Sequence, residues 1–262
     1  RYLVNQMGLR NKMGILSEAF AHDRLYERMN GTYGFVAEIL EFTHKNGKKI
    51  MAINAKAEKD AIQNVIQNAG KAKKGVRFKM VALDKKIPNY RTYDYIPYIN
   101  KRGKKSYIRS GKIIDVKNVA NLSKFDATVS TTLPRGYFLP KSMKNIVDHL
   151  RKQGVKVTQL KKRKRAVGEV FMVDELKNSR RKFEGHYMAT VTGKYVAKKR
   201  TFKKGDYWID MAQPLTNLAF YMLEPQSDDG LVSWNFFDAY LKEQGVNTKQ
   251  VEYPIFKYYS VK

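Results

Sequence analysis

Cysteine is absent from the 262 residues, which excludes disulfides and thiolate metal sites from this part of the chain. Histidine is scarce: His22, His44, His149 and His186 are the whole supply. None is followed by glutamate three positions on, and no two sit at a metal-ligand spacing. Acidic residues are few, 24 against 51 Lys and Arg, which leaves a formal charge of +27. No apolar run approaches the length of a membrane span, and no signal-peptide pattern opens the chain, which begins at Arg1. Gly-x-Ser-x-Gly, the Walker loop and Gly-x-Gly-x-x-Gly are all missing, so three common enzyme signatures drop out.

What is present is a large apolar fraction, 43%, enough to bury a substantial core in one large or two modest domains. The most informative stretch runs from Gly8 to Phe20. Met13 to Leu16 is predicted to be a short buried strand that delivers one carboxylate, Glu18, at its end. A carboxylate beside a core strand is costly unless paired or protonated, and in α/β sheets ligands gather where strands end. Glu18 is therefore a candidate catalytic residue, the alternative being that it only caps the following helix. Arg10 and Asn11 precede the strand, and His22 reads as a residue at the start of that helix.

The segment Gly8 to Phe20, with Asp23, Glu27-Arg28 and Tyr33, resembles the final catalytic strand and helix of the carboxypeptidase A-like zinc metallopeptidases, in particular a bacterial branch with an extra C-terminal region. The blocks Pro134 to Pro140 and Gln213 to Asp238, including Leu223-Glu224-Pro225, Ser227-Asp228-Asp229 and Trp234-Asn235, resemble the tail of that branch. The resemblance implies an α/β fold and a secreted or periplasmic hydrolase that cleaves peptide or amide bonds. It implies Glu18 as the general base that takes a proton from a metal-activated water. It further suggests Arg10 and Asn11 as candidates to hold a substrate carboxylate, where a bidentate guanidinium is suited to the task. Zinc is implied as cofactor. Its His-x-x-Glu and later His would lie upstream of Glu18, yet Arg1 to Ser17 contain no histidine. The expectation is accordingly the C-terminal part of a longer zinc carboxypeptidase-like protein, inactive alone.

Organisation follows from periodicity. Two helices are predicted after Glu18, one through Met29, Tyr33, Val36 and Leu40 ending at Asn46-Gly47, the other from Ile50 to Ile66 closed by Gly70. Lys71 to Gly75 reads as a linker, so residues 1–72 are expected to be the end of the catalytic domain and 73–262 a β-rich α+β accessory domain. Within the latter, helices are expected over Met143–Leu150, Leu215–Met222 and Trp234–Leu241, and strands over Val155–Leu160, Gly168–Val173, Met188–Val191, Tyr195–Ala197 and Tyr207–Met211. Glu224, Asp228 and Asp229 lack the ligand spacing of a calcium loop and read as a turn with a helix cap.

The charge supports a rival reading, a non-catalytic basic module that docks a polyanion or a partner protein. It is strongest at Lys161 to Arg165 and across Tyr90 to Arg109, where tyrosines alternate with cations. Against nucleic acid stand the spread of lysines along the whole chain, a five-cation run placed like a solvated hairpin loop, and the tendency of strand tyrosines to pack.

Overall fold

The computed structural model describes residues 2–21 and 23–261. The chain is mixed α/β and divides into two compact units, one of Arg1–Val76 with Ser130–Lys262, the other of Arg77–Val129.

The first unit opens with α1 (Leu3–Leu9), which periodicity does not reveal, and α2 (Leu25–Asn68). The break expected at Asn46-Gly47 does not occur; α2 is one helix of 44 residues. A helical glycine costs only about 1 kcal/mol, too little to end a long helix. Asn46 returns its amide to the Phe42 carbonyl at 2.9 Å inside the helix, and the Glu41–Lys45 and Lys56–Asp60 pairs span successive turns on either side. The helix stops where anticipated, at Gly70, whose φ of 79° suits a residue without Cβ.

The strand expected at Met13–Leu16 is not formed either. Residues 12–20 adopt neither helix nor strand, and Met13, Ile15 and Leu16 lie exposed. Four residues cannot make a strand alone, because each backbone N–H and C=O needs a neighbour. His22 lies outside the described residues.

Strands β1 (Lys73–Val81), β2 (Ile87–Ile99), β3 (Lys105–Val119) and β4 (Lys124–Thr132) follow, β1 pairing with β4 and β2 with β3. Part of the expected linker, Lys73 to Gly75, thus belongs to β1. The main sheet of the first unit uses β5 (Gly136–Leu139), β6 (Thr158–Gln159), β7 (Lys164–Asn178), β8 (Ala189–Phe202), β9 (Tyr207–Asp210) and β10 (Val251–Val261). They run β6-β9-β5-β10-β7-β8, and every neighbouring pair is antiparallel. The alternation read at Met188–Val191 and Tyr195–Ala197 belongs to one strand, β8, whereas Val155–Leu160 contributes only the two residues of β6.

One face of this sheet is an aromatic core. Phe138 stacks on Phe202 at 4.2 Å, and Val170, Phe256 and Tyr258 join the same buried cluster. Gly168 allows a close strand approach: a Cβ there would stand 2.0 Å from the Lys257 carbonyl oxygen. The opposite face carries Tyr137 and Lys257 and meets the end of α4 (Thr216–Leu223). Helix α3 (Lys144–Lys152) buries Ile146, Val147 and Leu150 at the expected spacing. The aromatic helix expected from Trp234 shortens to α5 (Asp238–Glu243), and residues 228–237 form turns and a bend instead.

The second unit is dominated by the β2–β3 ribbon, with β3 bulged near Ser110–Lys112, where Gly111 has a φ of 85°. Among the described residues no helix is long and apolar enough to cross a membrane.

Candidate functional site

Arg10, Asn11 and Glu18 occupy one open segment at the start of the first unit, and its two ends differ. The proximal end is clamped. The Arg10 guanidinium donates to the Gln153 carbonyl at 3.0 Å and to the Gln153 side-chain oxygen. Asn11, in the left-handed region at φ 57°, donates to the Pro214 carbonyl at 2.8 Å and accepts from Asn217 at 3.0 Å. Asn217 in turn accepts from the Lys74 ammonium. Lys12 completes the clamp with an ion pair to Glu58 of α2 at 2.6 Å. This fixes the turn after α1 to α2, to the C-terminal end of α3 and to the first turn of α4.

Lys74 lies partly buried behind this clamp. Burial pushes its pKa down to about 8, since the charged amine has lost water and gained only neutral partners. Its Nζ sits 5.2 Å from the centre of the Phe220 ring.

The distal end is open. Glu18 is exposed, flanked by the exposed apolar residues Ile15, Leu16 and Phe20. The structure therefore brings Arg10 and Asn11 together with Lys74 and Asn217, and leaves Glu18 outside that group. The described residues hold no group of three or more His, Asp or Glu able to bind a metal ion, so they do not fit a zinc site.

The tail carboxylates diverge. Glu224 is buried, accepting from Tyr137 Oη at 2.6 Å, from Lys257 Nζ at 3.0 Å and from Tyr195. Burial and the Glu224 charge push both tyrosine hydroxyls well above their ordinary pKa. Lys257 also donates to Thr131 Oγ1 at 2.6 Å and lies 3.9 Å from the Tyr195 ring centre. Asp228 accepts from the Tyr221 hydroxyl, and Asp229 from the Trp234 indole at 2.8 Å. Asp228 and Asp229 thus hold a turn, as the spacing suggests, whereas the Glu224 carboxylate neither shapes that turn nor caps a helix but is buried in an ion pair. The Glu224–Lys257 pair is the polar group that sequence reasoning misses; Lys257 inside an apolar run is its only signal.

A concave site of about 400 Å³ lies elsewhere, lined by residues including Asn178, Lys182, His186, Asn235 and Asp238. Arg10, Asn11 and Glu18 do not line it.

Comparison with known proteins supports a carboxypeptidase-like relationship. The chain is 28% identical over 131 residues to carboxypeptidase 2 of Trichophyton tonsurans and of Trichophyton equinum, and 29% identical over 132 residues to that of Trichophyton rubrum. Each match covers 50% of this chain and 23% of the relative. The chain thus spans about a quarter of the length of the curated relatives it matches. No family model matches, and no solved structure does.

Proposed function

We propose that these residues form the C-terminal portion of a carboxypeptidase-like hydrolase, residues 1–72 completing its catalytic domain, with Glu18 as general base. The observation that carries the reading is the clamped-then-open segment. Arg10, Asn11 and Lys12 fix its base, and an apolar run with one carboxylate projects beyond it without sheet partners. Paired along the sheet edge of a catalytic domain outside this chain, Met13, Ile15 and Leu16 would lose their exposure and Glu18 would sit at the strand end. There the carboxylate accepts a proton from the attacking water and returns it to the leaving amine. Zinc, if used, takes its ligands from residues outside this chain. Arg10 is now committed to Gln153, so a substrate carboxylate would need to displace that amide to gain the bidentate pair.

The test is Glu18→Gln in the protein that carries the catalytic domain, assayed on blocked dipeptides with a free C-terminus. General-base loss lowers kcat by about 10²–10⁴-fold with little change in KM. Full activity in the Gln variant refutes the assignment.

A further inference from the structure

The β2–β3 ribbon has two chemically different faces, and strand register reveals them. Side chains alternate across a strand, so cross-strand partners share a face. Arg91, Tyr93, Tyr95, Pro97 and Ile99 stand opposite Asp115, Ile113, Arg109, Tyr107 and Lys105; Asn89 stands opposite Lys117. The Arg109 guanidinium lies 4.2 Å from the Tyr93 ring centre, so this face stays continuous across the bulge. The other face pairs Tyr90 with Val116, Thr92 with Ile114, Ile96 with Ile108 and Tyr98 with Ser106. Every cation at a paired position is on the first face, and the second carries none.

The unit from Arg77 to Val129 holds thirteen Lys and Arg against four Asp and Glu, an excess of nine positive charges. Two of those carboxylates are paired, Asp115 to Arg91 and Asp126 to Lys124, so the excess stays unneutralised whatever the rest do. Tyr95 and Tyr107 are more than half exposed on the cationic face, against the expectation that strand tyrosines pack. Cations in line along an extended ribbon, with ring faces between them, suit a flexible polyanion whose repeating units are themselves flat rings.

We propose that this face binds single-stranded nucleic acid without sequence preference. Lys105, Arg109 and Lys117 neutralise phosphates, while Tyr95 and Tyr107 stack bases. A duplex hides its base faces and gives those rings nothing to cover. A ring-free polyphosphate uses the cations alone.

The test is fluorescence anisotropy of the full chain with a fluorescein-labelled 20-mer of thymidine, against inorganic polyphosphate and heparin as competitors. Neutralising about three phosphates gives a slope near −2 in log K against log salt. Tyr95→Ala with Tyr107→Ala is expected to weaken oligonucleotide binding at least about tenfold and leave polyphosphate competition unchanged. Thr92→Glu, on the opposite face, is expected to change binding less than twofold. Lys105→Gln with Lys117→Gln is the second variant should the tyrosine pair misfold; it is expected to flatten the slope by about 1.4. Oligonucleotide binding that ignores the tyrosines, heparin binding that needs them more than the oligonucleotide does, or no binding at low salt overturns the proposal.

Discussion

The Glu224–Lys257 pair gives the sharpest stability prediction. Both side chains are enclosed, 1% and 2% exposed, and the carboxylate satisfies two tyrosine hydroxyls besides the ammonium. Removing Lys257 leaves Glu224 buried without its cation, and removing Glu224 leaves Lys257 only the longer 3.5 Å pair with Glu169; either change costs about 3–5 kcal/mol. Glu224→Met is the worse change, because it also strands the Tyr137 and Tyr195 hydroxyls. Lys257→Met leaves Glu224 with both hydroxyl donors and is the milder. The double variant removes both charges, so its cost should fall below the sum of the singles by at least about 2 kcal/mol. Both tryptophans, Trp208 and Trp234, lie in the first unit, so their fluorescence during urea unfolding reports on that unit. Singles should lower the urea midpoint by about 1–2 M, taking m near 2–3 kcal/mol/M. Strictly additive singles, or singles within 1 kcal/mol of the parent, refute the argument.

The clamp and the backbone supply further predictions. Lys74 titrates near pH 8 when folded, against 10.5 for an ordinary lysine, so the unfolded chain holds the extra proton between those values and stability rises with pH across that window. Lys74→Met should therefore stabilise at pH 7, by up to about 3 kcal/mol, with an advantage that shrinks towards pH 10 in parallel urea titrations. Limited trypsin digestion should cut after Arg24 sooner than after the clamped Lys12, and Arg10→Ala should speed cleavage after Lys12 several-fold; an unchanged rate there would contradict the clamp. Gly47→Ala, with open space around its Cβ in α2, should raise the melting temperature slightly, a gain of about 0.5–1 kcal/mol by circular dichroism. Gly168→Ala, which meets the Lys257 carbonyl, should instead prevent stable folding of the sheet.

How legible each element is depends on how local its cause is. Helices α3 and α4 show in the sequence because Ile146, Val147 and Leu150, or Leu218, Ala219 and Met222, recur at helical spacing within one element. Parts of β7, β8 and β9 show by alternation for the same reason. Strand β10 carries no alternation: Val251, Tyr253, Ile255, Phe256, Lys257 and Tyr258 are all buried, as expected of a central strand covered on both sides. Gly47 misleads because a helix of this length tolerates one glycine. At the site, Glu18 is visible as an isolated carboxylate after an apolar run. The partners of Arg10 and Asn11 are not, since Gln153, Pro214 and Asn217 lie more than 140 positions away. The ribbon tyrosines mislead for a related reason: β-propensity records where side chains usually pack, and here the ribbon has exposed faces.

The placement of β10 has a consequence for synthesis. Residues 251–261 form the strand between β5 and β7, so the sheet lacks its middle until those residues have left the ribosome. During that interval more than a hundred residues already made, including Phe138, Val170 and Phe202, wait with two bare strand edges facing each other. Such edges invite pairing with neighbouring nascent chains. A chain stopped before Val251 should accumulate as insoluble material in the cell, whereas one completed through Val261 can close its sheet in a single late step.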